Sequence, residues 1–304
     1  MQTEILHVVT CIFNYCEWKS RIRLYYEFEN HMLESGASLT VVECQYDNRP
    51  FELTVAPGVQ HIKVRASTPV WVKENLLNIG IEALPEDWKY MAWIDADLTF
   101  KNKAWVTDTI QALKQHPIVQ PWETCHDLGP NGEHLAYQPS FCNNYQKVFK
   151  INPHIFPYGH SGYAWACTRQ AYEWLGGLLE LALNGAADLH MAMALVGKVS
   201  HTLPNSIHSN YAALIYAWQK RALQLIEMNI SYVPGIIEHS WHGAKSKRQY
   251  TSRWAIMIDN AVDPLVDVVK NADGVLELAG NKPNLNYQLD RYFKTRDEDA
   301  TVTG

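Results

Sequence analysis

The six cysteines, Cys11, Cys16, Cys44, Cys125, Cys142 and Cys167, include no Cys-x-x-Cys pair. Several sit in apolar stretches, as buried free thiols do. No apolar run approaches the length that crosses a bilayer. The opening "MQTEILHVVTCIF" lacks a basic leader and a long apolar core, so it reads as a first strand and not as a signal peptide. Basic residues are not in excess: 26 Lys and Arg stand against 32 Asp and Glu, a formal charge of −6. Nothing in that balance suggests a bulk polyanion-binding surface, and it leaves room for a local basic patch. Internal repeats and low-complexity segments are also missing. These absences point to a soluble, reduced, cytoplasmic protein with no membrane partner. Its 304 residues, 47% hydrophobic, suffice for one large core or two modest ones. Eleven Trp and sixteen Tyr are core material first, although such rings also line sugar and base sites.

Strand and helix patterns alternate from the start. "ILHVVTCIF", "SLTVVECQY", "GVQHIKVRA" and "WKYMAWIDAD" have strand length and apolar content, and "RIRLYYEFENHMLES" has helical spacing. "STPVWVKENLLNIGIEALP" is expected to be a helix capped by Ser67 or Thr68, with Pro69 in its first turn and Pro85 past its end. The fourth strand is apolar on both faces, as in the middle of a parallel sheet. The N-terminal half is therefore expected to be α/β with a mostly parallel sheet. Further on, "TDTIQALKQHP", "RQAYEWLGGLLELAL", "DLHMAMALVGKV" and "SNYAALIYAWQKRALQLIEM" read as helices, and "IVQPWE" and "GYAWACT" as strands. Residues 122–160 show no period and are expected to form a long functional loop. Beyond residue 255 the chain is expected to be partly irregular, with "RDEDATVTG" frayed.

The stretch "KYMAWIDADLTF" carries the clearest chemical signal. An apolar strand runs directly into Asp95 and Asp97. Ligands of open α/β sheets gather beyond the carboxyl ends of the strands. Two ionised carboxylates so close repel unless a cation or donors compensate. Hard oxygens suit Mg²⁺ or Mn²⁺, ions that usually also hold substrate phosphates. The bland alternative is a pair of surface acids capping the next helix.

With these residues the sequence resembles the GT-A glycosyltransferases of the family-2-like branch, over about residues 5 to 255. "WIDADLTF" resembles their Asp-x-Asp motif. "VKENLLNIGIEAL" is similar to the helix before it, with Lys73 and Asn75 on its basic and Asn positions. "TCIFNY" resembles the first strand and its nucleotide-facing turn, which holds Asn14, and Glu43 closes the second strand where an acid contacts the nucleoside. "GYAWACTRQAYEWLGGLLELALNGAADLHMAMAL" resembles the segment that supplies the general base. Its matching acid is Asp188, although Ala187 replaces the acid that usually precedes it. "VPGIIEHSWHGAKSKRQY" is similar to the late strand whose histidine ligates the metal, followed by basic residues that meet the diphosphate.

The resemblance implies a GT-A, Rossmann-like domain over residues 1–254. Residues 1–120 would bind a nucleotide-sugar donor, residues 121–254 would bind the acceptor, and 255–304 would form a C-terminal extension. It implies Asp97 with His239 or His242 on Mn²⁺ or Mg²⁺. Asp95 would contact the ribose or a metal-bound water, Lys245 and Arg248 the diphosphate, with Tyr250 and Arg253 extending that site. Asp188 would take the acceptor proton, with inversion. Trp122, His126, Tyr137, Tyr145, Tyr158 and His160 are expected to shape the acceptor pocket. "NKPNLNYQLDRYF" and the "HSWHG" stretch are similar to glycosyltransferase-like proteins of bacterial viruses. A hydroxymethylated pyrimidine in DNA therefore joins a glycan or a small molecule as acceptor. Two rivals stand. A nucleotidyltransferase would use the same acids, but it usually needs an early Gly-rich loop, and "VVTCIFNYCEWKSR" has no glycine. A nucleotide-sugar-binding protein without activity would suit Ala187.

Overall fold

The structure, a computed structural model, describes residues 4–149 and 159–301. The first apolar runs form β1 (Leu6–Phe13), β2 (Ser38–Tyr46), β3 (Gln60–Ala66) and β4 (Tyr90–Ile94). All are parallel to their neighbours among these four. After the short β5 (Leu98–Phe100) come β6 (Ile118–Gln120), β7 (Thr124–Leu128), β8 (His134–Pro139), β9 (Ala164–Thr168), β10 (Ile230–Tyr232) and β11 (Ile236–His239). A seven-stranded sheet runs in the order β10-β6-β9-β4-β1-β2-β3. Only β9 opposes its neighbours, so the sheet is mixed and mostly parallel, as expected.

Helices cover both faces, which is why the central strands are apolar throughout. On one face Phe28 and Met32 of helix Lys19–Glu34 pack with Trp105 and Ile110 of helix Trp105–Leu113. On the other, Leu76 and Leu77 of helix Lys73–Glu82 pack with Met191 and Met193 of Ala187–Leu195 and Ile215 and Trp218 of Ser209–Leu225.

A second, four-stranded sheet runs β5-β11-β7-β8. It corrects the expectation of a long loop after residue 122. β7 and β8 form an antiparallel hairpin around Gly129-Pro130-Asn131-Gly132, closed by Gly129 N donating to Glu133 O at 2.7 Å. Two other boundaries also move. The helix expected from Ser67 starts at Lys73, with Val72 as N-cap. Pro69 disfavours a helical Thr68, and the Thr68 hydroxyl instead accepts from Leu278 N at 2.9 Å. The helix after β9 stops at Leu175, because Gly176 turns left-handed (φ 72°).

The C-terminal residues are more ordered than expected. Helix Trp254–Asp259, the hairpin of β12 (Val268–Lys270) with β13 (Leu276–Leu278), and helix Pro283–Lys294 follow in turn. They pack on the first half, where the Tyr15 hydroxyl donates to Asp290 at 2.6 Å. The tail expected to fray instead buries Arg296 and Glu298. Among the described residues no helix is long and apolar enough to cross a membrane.

Gly80 shows how tightly the helix before the acids is seated. A Cβ there would lie 2.5 Å from Val9 Cγ1 and 2.9 Å from Val42 Cγ2, on β1 and β2. Gly80→Val should therefore lower the unfolding free energy by about 2 kcal/mol through overpacking, read as a lower urea midpoint. A wild-type midpoint would show that the helix does not sit this closely on the sheet.

Candidate active site

The second sheet explains how distant residues meet. β11 pairs antiparallel with β5, setting His239 opposite Leu98, and Ser240 N donates to Asp97 O at 2.9 Å. The chain leaving β11 therefore runs beside the Asp-x-Asp segment. On its other edge β11 lies parallel to β7, with His239 in register with Asp127. Register partners share a face, so Asp127 stands beside the His239 ring.

Three donor atoms converge at this junction. His242 Nε2 lies 3.0 Å from Asp97 Oδ2, His239 Nε2 lies 3.9 Å from the same oxygen, and the two Nε2 atoms are 3.3 Å apart. All three side chains are buried. Among the described residues they are the one group of three His, Cys, Asp or Glu side chains with donor atoms all within 4.8 Å. Ligand bonds of about 2.1 Å put neighbouring ligand atoms about 3.0 Å apart at right angles and about 3.4 Å apart in a tetrahedron. Two of the three separations match that spacing, and the third, 3.9 Å between His239 Nε2 and Asp97 Oδ2, is about half an ångström wider. Asp97 Oδ1 is buried without a hydrogen-bond partner, as expected of a carboxylate awaiting a cation. Both candidate histidines therefore fit a divalent metal together with Asp97.

The electrostatics agree. Burial alone would push the Asp97 carboxyl up, but His239, His242 and Arg21 hold it well below the usual range. Burial lowers His239 to about 4, leaving a neutral imidazole, the form that binds metals. Its Nδ1 faces Asp127 Oδ1 at 3.0 Å, a carboxylate behind the ring that fixes tautomer and orientation. Asp127 also accepts from the Tyr163 hydroxyl and from Lys245 Nζ, both at 2.6 Å, and from Gln138. Tyr163 holds a left-handed backbone (φ 75°), costly for a bulky residue. From there its carbonyl accepts from Asp95 N at 2.8 Å and its ring stacks on His160 at 3.8 Å.

A cleft opens beside the trio at the carboxyl ends of β1 and β4. Thr10, Cys11 and Phe13 line it from β1, together with Lys73, Asp95, Asp188, Arg248, Tyr250 and Arg253. Lys73 Nζ sits 2.5 Å from Asp95 Oδ1 and 4.0 Å from Asp188 Oδ2. Asp188 opens helix Ala187–Leu195, and a Cβ on Gly162 would lie 2.6 Å from its Oδ2, so only glycine leaves that carboxylate its place. Arg248 Nη2 donates to His242 Nε2 at 2.9 Å. Arg253 is buried, bonds Gly185 O at 2.8 Å and keeps an unpartnered Nε.

Lys73, Asp95, Asp97, Asp188, His239, His242 and Arg248 thus share one cleft. Other expected site residues lie elsewhere. Asn14 is committed to the backbone of Trp18 at 2.8 and 3.0 Å. Glu43 is fully buried and engaged by Glu52 N, Leu53 N, Gln45 and His61. Asn75 binds Glu180, Gly274 O and Leu276 N. Lys245 braces Asp127 and not the cleft. Of the aromatic group, Trp122 is core, donating to Ala164 O at 3.1 Å, and Tyr145 is buried in the core. His126 and Tyr137 pack with His134 on the β7–β8 hairpin, His160 lines the cleft, and Tyr158 lies outside the described residues. Sequence reasoning missed Arg21, Asp127, Tyr163, Arg296 and Glu298. For Asp127 a signal existed, since "GPNG" between two short runs marks a hairpin.

No protein-family model matches the chain, and no curated protein does. Among solved structures it is similar to Drosophila β1,4-galactosyltransferase 7, in a mutant complex with manganese, UDP-Gal and xylobiose. The identity is 14% and the TM-score 0.35, over 63% of this chain and 60% of that one. The xylobiose complex of that enzyme's catalytic domain gives 11% and 0.36 over the same shares. A Desulfovibrio desulfuricans G20 protein named as a candidate nucleotide-diphospho-sugar transferase gives 10% and 0.35, over 97% of this chain and 99% of that one. The chain thus spans about 60% of the galactosyltransferase chains it matches. At these scores the likeness is loose, and function has to be argued from the site.

Mn²⁺ alone should stabilise the protein. At a concentration 100 times its Kd, the unfolding free energy should rise by about 2.7 kcal/mol, read as a higher melting temperature. Asp97→Ala and His239→Ala should each abolish the rise. A rise that persists in both variants would place the ion elsewhere.

Proposed function

We propose that this protein is a metal-dependent glycosyltransferase of GT-A-like fold, which moves a sugar from a nucleotide-sugar donor to an acceptor hydroxyl. The observation that carries this reading is the convergence of Asp97, His239 and His242 beside a cleft whose other wall holds Asp188. The Asp-x-Asp resemblance supports it independently. Two imidazole nitrogens with one carboxylate favour Mn²⁺ over Mg²⁺, which takes oxygen ligands. Asp97, His239 and His242 would hold the cation, and there it would supply positive charge to the departing diphosphate.

The chain's own residues do the remaining work. Arg248 and Arg253 line the cleft as fixed positive charges for the phosphates, and Tyr250 borders them. Lys73 ties Asp95 down and stands near Asp188, a cation within 4.0 Å of both carboxylates. Asp188 takes the proton of the acceptor hydroxyl as that oxygen attacks the anomeric carbon. Attack from the face opposite the diphosphate inverts that centre. The nucleoside contacts expected of Asn14, Glu43 and Asn75 form no part of this proposal. Residues 1–254 carry the chemistry, with a contribution from the C-terminal extension. Three acceptor classes suit the reading: a glycan, a small molecule, and a hydroxymethylated pyrimidine in DNA. The net charge of −6 weighs mildly against the last.

The deciding experiment incubates the protein with Mn²⁺ and a panel of nucleotide sugars. Slow release of nucleoside diphosphate, accelerated by one of the three acceptor classes, is the expected result. Pyrophosphate formation from a sugar phosphate and a nucleoside triphosphate would point to a nucleotidyltransferase. Binding without either reaction would leave a binding protein. Asp188→Asn should keep donor affinity and lose about 10²–10⁴-fold in turnover. Unchanged turnover would remove Asp188 from the mechanism.

A further inference from the structure

Each histidine of the trio has a front and a back. The Nε2 atoms face Asp97, and the Nδ1 atoms face away. Behind His239 stands Asp127, 3.0 Å from Nδ1. Behind His242 stands a second carboxylate, Glu298 Oε2, 3.6 Å from Nδ1. His242 is 4% exposed, Glu298 is 3% exposed, and His242 Nδ1 has no hydrogen-bond partner. A shift of about 0.5 Å would close that gap to a hydrogen bond.

Glu298 is not on a loose tail. The Asp299 carboxylate accepts from Lys19 N and Ser20 N at 3.0 and 2.7 Å, at the start of helix Lys19–Glu34. Trp241 Nε1 donates to Ala300 O at 2.5 Å. A Cβ on Gly243 would lie 2.6 Å from Asp297 O, so the tail rests directly on the loop that carries His242. Arg296 Nε donates to Glu298 at 2.6 Å, and Arg21 Nε donates to its other oxygen. Arg21 Nη1 is also 4.0 Å from Asp97 Oδ2. Glu298 thereby holds a guanidinium that could otherwise close on the Asp97 carboxylate.

From this geometry we infer that Glu298 is a positioning residue of the metal centre, one that the C-terminal tail contributes. Its carboxylate accepts from His242 Nδ1–H, which leaves Nε2 the accepting nitrogen, now taken by Arg248 Nη2 and open to the cation once that side chain moves aside, and it restrains Arg21 from pairing with Asp97. The two histidines then share one design, each ring oriented by a buried carboxylate from a different part of the chain. The inference rests on the metal-centre reading above.

The test titrates Mn²⁺ into the full chain without substrate, following free Mn²⁺ by electron paramagnetic resonance. Metal-free melting temperatures report folding separately. Glu298→Gln should weaken Mn²⁺ binding about 10–100-fold, and Glu298→Asp, which keeps the charge but draws it back, should fall between. If wild type binds no Mn²⁺, the metal-centre reading fails and takes this inference with it. If wild type binds and Glu298→Gln binds equally well or more tightly, this inference alone is overturned. Tighter binding would instead mark the tail as a plug in the site. Should Glu298→Gln fail to fold, Glu298→Asp decides: intermediate affinity supports the role, and wild-type affinity refutes it.

Discussion

Asp97 is an ionised carboxylate with almost no access to water, kept ionised by His239, His242 and Arg21. Removing a carboxylate from solvent costs several kcal/mol unless charge and hydrogen bonds replace the lost hydration. The two imidazoles that face it supply much of that replacement. Burial holds His239 at about 4, so that ring is neutral at physiological pH. Arg21, the nearest full positive charge, is 4.0 Å away and already bound to Glu298. One Asp97 oxygen has no partner. The protein alone leaves an unpartnered carboxylate oxygen beside two imidazole nitrogens, a place that the proposed divalent cation would fill.

Much of the surrounding architecture serves to hold this place open. The four-stranded sheet brings the end of β11 beside the Asp-x-Asp segment and puts Asp127 in register with His239. Asp127 is itself buried and acidic, and burial would push it up, yet His239, Lys245 and Tyr163 hold it well below the usual range. The cation Lys245 is thus used to stabilise a supporting carboxylate. The strained backbone of Tyr163 has the same logic. One residue braces both halves of the site, its hydroxyl on Asp127 and its carbonyl on Asp95 N, and a left-handed φ persists because both ends are fixed.

These dependencies set what the sequence could reveal. Strands β1 to β4, their helices and the two acids were legible because their signals are local: apolar runs of strand length, helical spacing, and a carboxylate pair at a buried strand end. The family resemblance supplied Asp188, His239 and His242 by order along the chain. Asp127 escaped because the β7–β8 hairpin was taken for a loop, and because its value lies in register with a strand more than 100 residues later. Arg21 and Glu298 are 277 residues apart, and no local pattern marks a pairing of that range. Asn14, Glu43 and Asn75 show the opposite error. Their residue types and positions fitted a nucleotide site, but their donors and acceptors are already taken by Trp18, by the Glu52–Leu53 backbone with Gln45 and His61, and by residues 180 and 274–276.

The two acids of the motif finally prove to be unlike each other. β4 ends at Ile94, so Asp95 and Asp97 leave the sheet on a turn, and the turn sends them to different partners. Asp95 meets Lys73 at 2.5 Å, a cation built into the chain and fixed by the start of a helix. Asp97 meets imidazoles, which carry no fixed charge and on the proposed reading would share a divalent ion with it. One acid is therefore neutralised permanently and the other conditionally. The permanent pair anchors the wall that holds Asp188, since Lys73 reaches both carboxylates, and the conditional one faces the place the proposed function gives to the phosphates. Under the proposed function, repulsion between adjacent carboxylates would be divided between a structural cation on the acceptor side and an exchangeable one on the donor side. A site so divided would keep its proposed base in place before donor and metal arrive.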